Sequence, residues 1–239
     1  MAELVARGLQ RTLGDGRRRF RLRIPAFRLE SGDRLAIVGE TGSGKTTAMD
    51  VLALACRPDA ATDFSLSAGN TLVDLLAPHG ARTLARLRAR HFGYVLQTSP
   101  LFPFLDLGEN AELGQRLAGR RDPDAIRRLL AALRIDLPLR TRIADLSVGQ
   151  RQRLAVVRAL AHRPDFLLCD EPTGALDPRT AGRLLDTLIA EAGDTGAAIL
   201  MITHDEALAA SRGFTTLEMV RDHGRADAST LRPAPGAVA

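Results

Sequence analysis

The chain has 33 basic residues and a single lysine, which stands inside Gly39-Glu40-Thr41-Gly42-Ser43-Gly44-Lys45-Thr46. This octet satisfies the spacing G-x-x-x-x-G-K-[ST]. In such a loop, backbone N–H groups cradle phosphates, a flexible ammonium reaches the β- and γ-phosphates, and a hydroxyl holds Mg²⁺. The remaining basic residues are all arginine, whose planar fork does not simply replace a compact ammonium. From this composition, a chance match is on the order of one in a thousand. A second chemical feature is Asp170-Glu171, where the apolar run Phe166-Leu167-Leu168-Cys169 ends abruptly in two acids. Adjacent acids at a strand end face different ways. One can approach Mg²⁺ through its water shell while the next orients or deprotonates an attacking water. A third feature is Ser147, which precedes the helical run at residues 151–160 and is placed as its N-cap. With the small Gly149 and the positive helix end, its hydroxyl suits a phosphate.

These residues need a scaffold, and the apolar pattern supplies one. Residues 34–38 read as a buried strand before the loop, and a helix is expected from Thr47 onward. Further buried strands are expected at residues 92–96, 166–169 and 197–202. Helical periodicity dominates residues 106–161, broken at Asp122-Pro123 and Leu137-Pro138, and reads as a helical insertion. The alternation of strands and helices predicts an α/β fold. Residues 222–239, rich in Ala, Pro and Gly, read as a flexible tail.

At 239 residues and 45% hydrophobic content, the chain can bury a full core, which excludes general disorder. No apolar run approaches the roughly 18 residues of a membrane span, and the first residues lack the apolar core of a secretory signal. A cytosolic protein is expected. Cys56 and Cys169 lie in apolar stretches without metal-ligand spacing and read as small buried hydrophobes. The formal charge of +5 is compatible with anionic partners, but the basic residues are dispersed and aromatics are only 4%. Nucleic-acid binding is therefore disfavoured. The run Arg17-Arg18-Arg19 reads as a solvated face.

The order of motifs resembles an ATP-binding cassette (ABC) ATPase over roughly residues 1–220. The phosphate loop is followed by Gln97 as the glutamine-loop residue, Leu146-Ser147-Val148-Gly149-Gln150 as the signature sequence, and Asp170-Glu171 as the Walker B acids. Pro172-Thr173-Gly174-Ala175-Leu176-Asp177 resembles the D-loop segment, and Ile202-Thr203-His204-Asp205 the histidine switch. The resemblance implies a P-loop NTPase core with a parallel-rich sheet, an antiparallel β-region and an inserted helical subdomain. It places the nucleotide-binding core at residues 1–97 and 162–221 and the helical subdomain at 98–161.

The same resemblance implies that Lys45, Thr47 and the loop amides hold the phosphates of ATP. Thr46, Gln97 and Asp170 would serve Mg²⁺ or its waters, Glu171 would be the catalytic base, and His204 would contact the γ-phosphate. Ser147 and Gly149 would complete the site of an opposite subunit, and Asp177 would link the two sites. One set of motifs then implies pairing with a second cassette, a homodimer being expected. The partner would be a transmembrane permease, holding the chain at the inner face of the cell membrane. Residues 173–177 are similar to those of the lipoprotein-releasing, macrolide-export and cell-division group, which points to export or lipoprotein extraction. The alternative is a mechanotransmitting ATPase that regulates an extracytoplasmic enzyme without moving cargo.

Three positions depart from the family pattern. Val148 replaces the first signature glycine, and residues 59–79 lack the usual turn sequence. No adenine-stacking aromatic is apparent, which leaves Leu13 or Phe20 as replacements. The apolar Pro100-Leu101-Phe102-Pro103-Phe104 follows the glutamine loop, where the resemblance implies a groove for a short helix of the membrane subunit. The alternative is a local hydrophobic core under the helical insertion.

Overall fold

The computed structural model describes residues 1–14, 19–98, 100–174, 176–222 and 227–234. These fall into two units, Met1–Leu84 with Leu200–Ala239, and Ala85–Ile199. Arg17, Arg18 and Ala175, and the tail residues 223–226 and 235–239, lie outside the described residues.

The first unit opens with the antiparallel pair β1 (Ala2–Leu13) and β2 (Phe20–Glu30). Alternation decides their register. Leu4, Ala6 and Leu9 of β1, with Leu22, Ile24 and Leu29 of β2, are fully buried, while Arg7, Arg21, Arg23 and Arg28 occupy the opposite face. The unit continues with β3 (Arg34–Val38), α1 (Lys45–Leu52), β4 (Asp63–Ala68) and β5 (Thr71–Asp74). The pairing of β4 with β1 and β5 gives residues 63–74, within the stretch 59–79, a regular antiparallel layout without the expected turn sequence. Helix α2 (Ala81–His91) leads from the first unit into the second.

In the second unit, β6 (Phe92–Val95) is followed by α3 (Leu107–Ala118), α4 (Pro123–Ala132) and α5 (Val148–Leu160). The breaks between these helices fall where the prolines stand. Asp106 caps α3 through a reciprocal capping box with Glu109, and Asp122 caps α4 with Pro123 in the first turn. Strand β7 (Phe166–Asp170) is buried at every residue and pairs in parallel with β6. Helix α6 (Pro178–Thr195) follows, and β8 (Ala198–Ile202) returns the chain to the first unit.

The first unit ends with α7 (Glu206–Ala210), β9 (Thr215–Arg221) and β10 (Ala228–Pro233). Strand β9 runs parallel to β3, and β10 lies between β9 and β2. This corrects the expectation of a flexible tail from residue 222. Ala228, Ser229, Thr230 and Leu231 are buried because β10 has a strand on each side, so pairing rather than hydrophobicity holds it. Two smaller differences concern α1, which begins at Lys45 rather than Thr47, and Cys56, which is only half-buried. Cys169 is fully buried, and burial pushes its thiol far above the ordinary range. The second unit also takes in β6, β7 and α6, elements the sequence reading assigned to the nucleotide-binding core.

Candidate functional site

The phosphate loop joins β3 to α1, so its backbone amides lead into a helix N-terminus. Its glycines are stereochemically required. Gly39 has φ 143° and Gly44 φ 94°, and a Cβ on Gly39 would stand 2.7 Å from the Met219 carbonyl oxygen. Lys45 is 7% exposed, and its Nζ donates to the Gly39 and Glu40 carbonyls at 2.7 and 2.8 Å. Ser43 is fully buried, and its hydroxyl has no hydrogen-bond partner among the described residues. Such an orphan in a loop of this geometry suits an oxygen-rich ligand. Thr46 is exposed and Thr47 half-buried in the first turn of α1.

Two residues outside the octet shape this loop. Phe20 lies against Gly44, where a Cβ would meet its ring at 2.6 Å, and it pairs across the strands with Leu13. Of the two adenine-stacking candidates, Phe20 therefore has an aromatic face beside the loop. Arg221, at the end of β9, donates from Nη2 to the Thr41 carbonyl at 3.0 Å and stands 3.7 Å from Glu40 Oε2. Nothing local in the sequence marked Arg221, because its neighbour is reached through the β3–β9 pairing. His204 is exposed after the buried Thr203, whose hydroxyl accepts from the Asp205 amide at 3.0 Å.

In the second unit, β7 delivers Asp170, 4% exposed, and then Glu171. Glu171 has φ 47°, a left-handed conformation that is uncommon for a residue with a side chain. Strain of this type, about 1–3 kcal/mol, concentrates at functional positions. The Gln97 amide donates to Glu171 Oε2 at a long 3.4 Å, bringing two predicted residues together. Pro172 is held from the other side, because the buried Gln152 amide donates to its carbonyl.

Ser147 is the N-cap of α5, as its position predicted, and the cap is a box. Its hydroxyl accepts from the Gln150 amide at 3.2 Å, and the Gln150 side chain accepts from the Ser147 amide at 2.8 Å. Gly149 lies in the first turn beside Leu176, and Val148 is 58% exposed, so its bulk crowds nothing. Asp177 caps α6 by accepting from the Arg179 and Thr180 amides at 3.1 Å each. Hydrogen bonds from Thr180, then from the Arg179 amide, hold its carboxyl below the usual carboxylate range.

Pro100, Leu101 and Phe102 line a groove of about 340 Å³ with Phe92, Tyr94, Leu113 and Arg158 in its walls, and the Phe104 ring lies 5.5 Å from that of Phe102. Asn110 fixes the segment, accepting from the Phe102 amide at 3.0 Å and donating to the Phe102, Leu105 and Asp106 carbonyls. Phe104 is 78% exposed and Phe102 41% exposed, which overturns the reading of this segment as a closed local core. Phe102 packs on the Arg158 guanidinium at 5.8 Å. His162 lines the same groove, and burial lowers its pKa to about 4.

The sequence pattern of the family described as ABC transporter matches residues 22–174. The lipoprotein-releasing system ATP-binding protein LolD 1 of Caulobacter vibrioides is 36% identical over 88% of this chain and 89% of its own. The macrolide export ATP-binding/permease protein MacB of Rhodopseudomonas palustris is 35% identical over 99% of this chain, which spans only 35% of that protein. Among solved structures, the dimeric post-hydrolysis state of the ATP-binding cassette MJ0796 bound to ADP and Pi is similar. Its TM-score is 0.77 at 25% identity, covering 91% of this chain and 94% of that one.

Proposed function

The chain belongs to the ABC transporter family, and from that premise we propose that its ATP hydrolysis drives closure of two cassettes against a transmembrane permease. As an ATP-binding subunit of an ABC transporter, it is an ATP hydrolase. The observation that carries the proposal is Lys45, a buried ammonium held on two loop carbonyls at the start of α1. A phosphate chain is the ligand this charge and these donors suit.

The roles follow from chemistry. Loop amides at residues 39–46, with Lys45 and Thr47, bind and orient the phosphates of ATP, and Phe20 offers its face to adenine. Glu171 accepts the proton of the attacking water, and the Gln97 amide orients that carboxylate. His204, an exposed imidazole just beyond β8, contacts the γ-phosphate. The donor set of Thr46 hydroxyl, Gln97 amide oxygen and Asp170 carboxylate fits Mg²⁺, a hard cation that takes oxygen ligands and keeps several waters. When bound, the ion neutralises charge on the phosphates. Ser147 and Gly149 present a capped helix N-terminus to the nucleotide of a second copy, and Asp177 holds the turn that communicates between the sites.

No helix among the described residues is long and apolar enough to cross a membrane. Attachment at the inner membrane face is assigned to the groove at Phe102, with the exposed Phe104 ring beside it. The relatives named for lipoprotein release and macrolide export support an exporting or extracting complex. Mixing a Lys45→Ala subunit with a Ser147→Arg subunit tests the shared-site reading. Each homodimer is expected to be inactive, while the mixture regains part of the activity, because one of its two sites is intact. Full turnover by an isolated monomer would refute the reading.

A further inference from the structure

Helix α2 carries Arg82, Arg86 and Arg90 at spacings of four, which places them along one exposed face. Its sequence ARTLARLRARH contains no acid. Several other exposed arginines are matched. Arg142 pairs with Asp145 at 3.0 Å, Arg163 with Asp122 at 2.7 Å, Arg28 with Glu3 at 2.6 Å, and Arg127 with Asp124. Among the described residues, none of the three α2 stripe guanidiniums carries an ion pair or a hydrogen bond. Like charges four residues apart weaken a helix, a cost that an anion bound along this face would offset.

The position of the stripe supplies a partner. Ala89, on an adjacent face of α2, forms part of the groove that holds Phe102. If that groove receives a membrane subunit, the arginine face stands beside the lipid of the inner leaflet. We propose that the α2 stripe binds anionic phospholipid headgroups, so that the cassette touches the bilayer directly as well as through its permease. This location rests on the proposed function of the groove, whereas the binding itself is a property of the chain alone. Guanidinium suits phosphate oxygens, which it meets with two parallel donors. Each basic residue near an anionic leaflet strengthens partitioning roughly fivefold, so three should give about 10²-fold. The interaction should fall with salt, because the Debye length shortens from ~30 Å at low ionic strength to ~8 Å at physiological strength.

The test is co-sedimentation of the purified full chain, without permease, with vesicles of phosphatidylcholine alone or mixed with phosphatidylglycerol. Binding is expected only to the anionic vesicles and should fall with added salt. The triple variant Arg82→Gln, Arg86→Gln, Arg90→Gln should lose about 10²-fold in partitioning. A control triple, Arg28→Gln, Arg127→Gln, Arg142→Gln, removes the same charge from paired arginines and should retain most of the binding. Thermal unfolding of both triples verifies that they are folded. Equal loss in the two triples would reduce the effect to net charge and overturn the proposal. So would absence of binding to anionic vesicles, or a stripe-dependent affinity for an oligonucleotide that exceeds the affinity for the vesicles. Permease binding by Phe104→Ala reports on the groove separately, so either reading can fail alone.

Discussion

Truncating Phe104 separates a docking anchor from a core residue, because the two roles predict opposite thermodynamics. Its side chain is 78% exposed, so folding hides only about a fifth of it. Full burial of a phenylalanine is worth ~1.5–3 kcal/mol, and Phe104→Ala should therefore cost the isolated chain about 0.5 kcal/mol. That corresponds to a fall of roughly 1–2 °C in Tm for a chain of this size. Phe102 is 41% exposed and packs on Arg158, and its truncation should cost about 1.5–2 kcal/mol. At the interface the order reverses. An exposed aromatic anchor that fills a pocket of the permease is worth ~2 kcal/mol, a roughly 30-fold rise in Kd for Phe104→Ala. Thermal unfolding of the purified chain and titration against permease in detergent or nanodiscs measure the two quantities. A loss above ~2 kcal/mol in the isolated chain, with partner affinity unchanged after correction for folded fraction, would refute the docking role.

Three further outcomes follow from the same geometry. Gly44→Ala places a Cβ at 2.6 Å from the Phe20 ring with φ 94°, so ATP affinity should fall at least about tenfold, readable by nucleotide titration. Arg221→Gln removes the clamp on the Thr41 carbonyl and should weaken ATP binding about 3- to 10-fold while leaving turnover at saturation close to unchanged; a large fall in saturated turnover would contradict a purely positioning role. His162 is buried and neutral, with its pKa lowered to about 4 from an ordinary value near 6.5. The unfolded chain therefore binds more protons between these values, and stability present above pH ~6.5 is lost as pH falls toward 4. The shift corresponds to about 2 kcal/mol lost at pH 5, and denaturant unfolding of His162→Gln should show a correspondingly flatter pH dependence.

Fully buried elements were the legible ones. Strands β3, β6, β7 and β8 are short apolar runs, and the phosphate loop stands between the first of them and a helix, so spacing alone located it. The breaks at Asp122-Pro123 and Leu137-Pro138 were equally plain, because proline and a capping aspartate both act locally. Strand β10 was not legible. Ala228 and Ser229 have little strand preference, and the segment is held by neighbours that are distant in sequence, β2 and β9. The contact of Phe20 with Gly44, the clamp from Arg221 and the Asn110 network under Phe102 depend in the same way on tertiary placement. The left-handed Glu171 has no signature in residue type, since glutamate rarely adopts it.

The most direct test of the central claim is ATP binding and turnover by Glu171→Gln in the assembled complex. The substitution keeps the size of the side chain after β7 and removes the proton acceptor while leaving the Lys45 loop untouched. The account predicts ATP affinity close to that of the unmodified chain, stable closed dimers in the presence of ATP, and turnover lower by roughly 10²-fold or more. Near-normal turnover would remove Glu171 as the general base and contradict the assignment of the site.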